Sequence, residues 1–154
     1  MQKRSGFTLM QLVLVMVLLA IMTAAGVPNF LSWLPKYRLK SAARDLYSNL
    51  QLAKMSAVRF NKKCKVQYYK NPDRYSVDLL NKTVRVSDYG SGVRFQGPNN
   101  QTFSVPAITF NSRGTSNSGY AYLTNSGNTA YYRVGPLTSG AVKLQKWSGG
   151  TSWK

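Results

Sequence analysis

The sequence predicts an α+β protein. One long, kinked N-terminal α-helix, its apolar half membrane-spanning, is expected to pack on a C-terminal antiparallel β-sheet domain of about seven short strands. Three observations carry this. Residues 7–27 hold no formal charge and are mostly Leu, Val, Met, Ile and Ala. Residues 36–60 keep a single apolar stripe free of Pro and Gly. Beyond Cys64 the apolar period falls to two and turn residues punctuate the chain.

At about 1.5 Å per residue, residues 7–27 give roughly 31 Å of helix, the thickness of a bilayer core. Lys3 and Arg4 precede this run and Lys36 is the first cation after it. That asymmetry puts residues 1–6 in the cytoplasm and the bulk of the chain outside it. Residues 28–61 form the amphipathic half. Leu39, Ala42, Leu46, Leu50, Ala53 and Ala57 recur at helical spacing, with Lys36, Lys40, Arg44 and Lys54 off the stripe. Pro28 and Pro35 are expected to kink or locally open the helix. Arg59, Lys62 and Lys63 cluster at its end, near Asn61, where cations suit the dipole.

Residues 62–147 form the β-rich domain. Strands are predicted at 65–70, 75–80, 82–87, 105–110, 119–124, 129–134 and 142–147, rich in Val, Tyr and Thr. Asn71-Pro72-Asp73, Gly97-Pro98-Asn99-Asn100, Ser126-Gly127-Asn128 and Gly135-Pro136 read as turns. Residues 148–154 read as a flexible tail.

Composition narrows the function. The chain has 154 residues, 21 Lys and Arg, four acids (Asp45, Asp73, Asp78, Asp88) and no His. Acid–base catalysis and metal binding have few groups to draw on, so no enzyme, cofactor or metal site is expected. No Gly-Lys-Ser/Thr phosphate loop and no Cys-x-x-Cys-His haem site occur. Cys64 has no partner within the chain; it pairs between chains or sits as a small buried hydrophobe. The net charge of +17 attracts phosphates, anionic lipids or acidic proteins.

The leader Lys3-Arg4-Ser5-Gly6, followed by Phe7-Thr8-Leu9-Met10-Gln11, a long apolar helix and Pro28, resembles the processing signal of type IV pilins and type II secretion pseudopilins. The resemblance implies that residues 1–6 are removed by a prepilin peptidase cutting between Gly6 and Phe7, and that Phe7 is N-methylated. The apolar helix is then retained for assembly with other pilins through an inner-membrane platform. The expected location is the bacterial inner membrane, single-pass with most of the chain periplasmic, and then a periplasmic pseudopilus or surface pilus. Gln11 stands where the family usually has Glu, a pattern typical of the pseudopilin that caps the filament. With Pro28 it is the expected assembly determinant.

Phe110-Asn-Ser-Arg-Gly114, Tyr120-Ala-Tyr-Leu-Thr, Tyr131-Tyr-Arg-Val and Thr138-Ser-Gly140-Ala-Val-Lys143 resemble the end of the H-type minor pseudopilin and related minor pilins. This implies a minor, tip-proximal structural subunit. An alternative is a DNA-binding minor pilin for natural transformation. Arg133, Lys143, Lys146, Trp147 and Tyr132 are its candidate contacts with nucleic acid or an acidic partner, because basic grooves with stacking aromatics hold single strands. Ala141 departs from the Gly-Arg-x-Arg pattern of DNA-binding relatives. A third class, surface adhesion or support of electron transfer, has only the aromatic content behind it.

Overall fold

The computed structural model describes residues 8–90, 92–150 and 152–154, with backbone alone over residues 25–32. The helix α1, Leu9–Arg59, is followed by eight strands. These are β1 (Cys64–Lys70), β2 (Asp73–Val77), β3 (Lys82–Arg85), β4 (Arg94–Phe95), β5 (Ala107–Phe110), β6 (Ala121–Thr124), β7 (Tyr131–Pro136) and β8 (Val142–Lys146). Their pairings are antiparallel and build two four-stranded sheets, β3-β2-β1-β5 and β4-β6-β7-β8. The α+β class is as predicted, with two sheets in place of one and eight strands in place of seven. The chain divides after Leu34 into two compact units.

The expected kink is not present: α1 is helical through Pro28 and Pro35. Each proline removes one N–H donor, a small loss in a helix of 51 residues. The helix ends as its last residues dictate. Asn61 takes a left-handed φ of 50°. Asn61 N–H donates to Val58 O at 3.2 Å and Lys62 N–H to Ala57 O at 3.1 Å. Those bonds form a Schellman motif, with Asn in the position glycine usually fills.

The predicted stripe is the spine of the second unit. Leu39, Ala42, Leu46, Leu50, Ala53 and Ala57 are all buried, and Ala43 joins them. They share one core cluster with Val66, Tyr75 and Ile108 of the first sheet and Phe95, Leu123 and Val134 of the second. Tyr68 of β1 stacks on Phe103 at 5.2 Å, and both meet Phe95 of β4 edge-on, so three rings bridge the sheets. Cys64 is fully buried and unpaired, and burial pushes its thiol pKa up. The hydrophobe reading of the two offered for it is the one observed.

One polar node interrupts the stripe. The Asp45 carboxylate accepts from Asn49 Nδ2 at 2.7 Å, from the Tyr75 hydroxyl at 3.1 Å and from the Tyr89 hydroxyl. Lys82 Nζ of β3 donates to Asn49 Oδ1 at 2.8 Å. Burial, reinforced by the Asp45 charge, raises both phenols above their ordinary range. Asp45 is half-buried, and every donor brought to it is satisfied there.

Two predicted strands stop early, in 3-10 turns at Asp78–Leu80 and Val86–Tyr89. Gly135-Pro136, expected as a turn, lies inside β7. Gly135 is needed there because a Cβ would sit 1.8 Å from the Gly119 carbonyl oxygen. Gly140 meets the same limit against Gly114 O, at a φ of +75°. The described residues of the tail, 148–150 and 152–154, make backbone bonds. Ser148 N–H donates to Ser152 O at 3.1 Å, and Lys146 and Lys154 exchange N–H···O bonds at 2.6 and 2.9 Å, so the end of the chain folds back on β8.

Gly135→Ala is expected to destabilise the fold by about 3 kcal/mol or more, because the clash is with backbone that cannot rotate away. Gly127→Ala, whose nearest neighbour is Thr129 Cγ2 at 3.4 Å, should be close to neutral. Urea midpoints of the two variants check the contrast.

Candidate assembly and partner-binding surfaces

Gly6 and Phe7, the expected processing pair, lie outside the described residues, as does the Pro28 side chain. The structure begins at the helix start. Thr8 N–H donates to Gln11 Oε1 at 3.1 Å and Gln11 N–H to Thr8 Oγ1 at 3.3 Å. This is a reciprocal capping box, Thr at the cap and Gln three residues on. It satisfies two of the N–H groups that a helix start leaves without partners. Gln11 therefore has a local structural task that its position in the sequence did not announce.

Beyond it the helix is apolar on every side. Leu9, Met10, Leu12, Val13, Leu14, Val15, Met16, Val17, Leu18, Leu19, Ile21 and Met22 are all exposed, Leu9 at 81%. Among the described residues, however, no helix is long and apolar enough to cross a membrane. The expected span, residues 7–27, runs past the described side chains at both ends.

The five candidate contacts on the last strands do not form one surface. Register Tyr132↔Lys146 and Arg133↔Gln145 places Tyr132 and Lys146 on the core face of the second sheet and Arg133 on the other. Alternation puts Lys143 and Trp147 with Arg133. Tyr132 is buried; burial raises its pKa, opposed by the charge of Arg44. Arg133 is held on three sides. Its guanidinium carbon lies 4.6 Å from the Tyr120 ring centre and 4.7 Å from that of Trp153, and Nε donates to Gln145 Oε1 at 2.9 Å. Trp153 also meets Trp147 edge-on at 5.0 Å and Tyr122 at 5.7 Å. With Gly97, Pro98, Asn99 and Gln101, these rings line a groove of about 70 Å³. Lys143 and Lys146 are exposed. The outer face is thus a cation–π stack sealed by Trp153, a residue that sequence reasoning left in the tail.

A second surface was not singled out from the sequence. Lys70, Asp73, Arg94, Phe95, Gln96 and Asn100 line a groove of about 370 Å³. Arg94 is fixed by Gln96 Oε1 at 2.7 Å and Asn128 Oδ1 at 2.8 Å, and Gln96 Nε2 donates to Asn100 Oδ1 at 2.6 Å. Asp73 Oδ2 accepts the Phe95 N–H at 3.3 Å, while Oδ1 is buried with no partner. Burial raises the Asp73 pKa, against the bond from Phe95 and the charges of Lys70 and Arg94. The one signal in the sequence was the scarcity of acids. Among the described residues no cluster of metal-ligating groups occurs.

An N-terminal helix laid along antiparallel sheets, with the apolar start of that helix uncovered, defines a pilin-like filament subunit. More narrowly, the family described as type II transport protein GspH matches residues 42–140, and the chain belongs to that family. It is a family of structural subunits of the pilin and pseudopilin kind. The crystal structure of the type IV minor pilin FimU of Pseudomonas aeruginosa (strain PAO1) in space group P21 is similar in fold. It has a TM-score of 0.56 at 17% identity over 77% of this chain and 94% of that one. A second FimU crystal form, in space group P65, gives 0.47 at 20% identity over 75% and 97%. No curated protein is a match for the chain.

The raised Asp73 pKa fixes a sign. The folded state holds that proton more tightly than the unfolded chain, so its contribution to stability is present at low pH and lost as pH rises through the folded value. Asp73→Asn, which keeps an acceptor for Phe95 N–H, is therefore expected to raise the unfolding midpoint at pH 7. The gain should shrink as pH falls through the raised folded value and be gone below the ordinary value of 3.8. Paired melts at pH 3 and pH 7 measure it.

Proposed function

We propose that this chain is a minor, tip-proximal structural subunit of a type II secretion pseudopilus or type IV pilus. It enters the filament from the inner membrane after a prepilin peptidase cuts between Gly6 and Phe7. One observation carries the reading: the helix from Leu9 to Met22 is apolar all round and uncovered. A helix of that kind is stable only among lipids or other apolar helices. Pilin-type assembly supplies the two in turn, first the membrane and then the filament core. The capping box supports the tip position. Gln11 spends its amide on Thr8 within its own chain, and a neutral amide offers no Coulomb attraction to the terminus of a neighbour.

Intact-mass analysis is expected to show a mature chain starting at N-methylated Phe7, and Gly6→Trp should leave uncut precursor in the membrane. A mature start near Gly26 would sink the assignment. Counting subunits in purified filaments should give a few copies each, and Gln11→Glu should assemble comparably. Filaments made mainly of this chain would defeat the tip position.

The DNA-uptake alternative draws on one observation, the exposed Lys143 on the same sheet face as the half-buried Trp147, with Lys146 exposed on the other face. It requires log affinity for single strands to fall linearly with log salt, by roughly 0.7 per phosphate contact. Lys143→Ala with Lys146→Ala should then flatten that slope, while Trp147→Ala weakens binding equally at all salts.

A further inference from the structure

We propose that the outer edge of β3 is a docking strand for an extended, acidic segment of another protein. Two independent features meet on these four residues, Lys82–Arg85.

The first is the backbone. β3 is an edge strand of its sheet and pairs only with β2. In an antiparallel pair, alternate residues of such a strand turn N–H and C=O away from the partner. Other edges of this fold are covered. Asn117 closes the free side of β5, accepting from Thr109 N–H at 2.7 Å and donating to Ala107 O at 2.9 Å. Residues 152–154 return along β8. Asp73 takes the Phe95 N–H of β4. Among the described residues nothing covers β3.

The second feature is an uncompensated charge. Register places Arg74 of β2 directly opposite Arg85 of β3, on the sheet face away from the core. Like charges so placed repel, and no carboxylate pairs with either guanidinium among the described residues. Arg74 lies over the Tyr69 ring at 4.7 Å, which orients it, yet its Nε is buried with no hydrogen-bond partner. A buried donor without an acceptor is costly. A carboxylate beside Arg74 and Arg85 offsets the like-charge repulsion, and an extended chain added along β3 places alternate side chains on that face.

Charge chooses the occupant. A second copy laid on β3 sets Arg85 among arginines again, and this chain has only four acids against 21 cations. The partner is therefore a different protein, with carboxylates on every second residue of an extended run. This holds wherever in a filament the chain sits.

The test uses the full chain and an eight-residue synthetic peptide alternating Glu and Val, with its Gln and Val counterpart and a single-stranded oligonucleotide as controls. Amide exchange across residues 82–85 is read together with affinity. The expected result is exchange slowed at least about fivefold by the acidic peptide only. Affinity should fall about tenfold in Arg85→Ala and in Arg74→Ala, and be largely kept in Arg85→Lys. Arg85 is exposed, so its substitution leaves the fold intact, and the unfolding midpoint verifies that. Equal binding of the amide peptide, no slowing over 82–85, or slowing by the oligonucleotide instead would overturn the proposal.

Discussion

The second unit depends on one constraint: a helix must present a stripe narrow enough for two sheets to share one core with it. Leucine and alanine divide that work. Leu39, Leu46 and Leu50 supply apolar volume, while Ala42, Ala43, Ala53 and Ala57 keep parts of the stripe small. A larger side chain at an alanine position has no free volume to enter in an interior packed to crystal density. The three-ring cluster of Tyr68, Phe95 and Phe103 then joins the two sheets beyond the helix. Glycine extends the same economy to the backbone, where Gly135 and Gly140 let segments approach with no side chain between them.

Polar chemistry inside this core is rationed and local. Asp45 and Asn49 lie one helical turn apart, so one carboxylate and one amide reach Tyr75, Tyr89 and Lys82 together. A hydrophobic stripe permits sliding of a helix along a sheet. The directional bonds at Asp45 permit one register. Specificity of docking thus rests on a single acid in a chain that has few of them.

Much of this was legible in the sequence. The helical stripe stood out because six positions kept one period, and all six are buried. Seven strands were visible as runs rich in Val, Tyr and Thr set off by turn residues, although β6 is buried at every position and β3 at none. The two-residue β4 was not, since Arg94–Phe95 is too short to show a period. Gly135-Pro136 misled because the residues that make turns also permit close packing, and only Gly119 reveals which applies. The candidate surface was half legible. Its cations were visible as residues, but the face each occupies depends on pairing across strands. Trp153, which seals Arg133, lies twenty positions away in the chain. The family signal at residues 3–11 was legible as a motif, while the task of Gln11 toward Thr8 is a matter of geometry.

The order of strands has a consequence for cooperativity. β1, β2 and β3 form a meander, as do β6, β7 and β8. Between them the chain visits the second sheet with β4 and returns to the first with β5 before leaving again. Each sheet therefore holds one strand belonging, in sequence, to the other's neighbourhood. Neither can melt without pulling an edge from its companion, so the unit should lose structure in one step and not sheet by sheet. The same interleaving demands contacts between distant parts of the chain before either sheet is complete. That makes folding slow relative to a simple helical bundle of equal size.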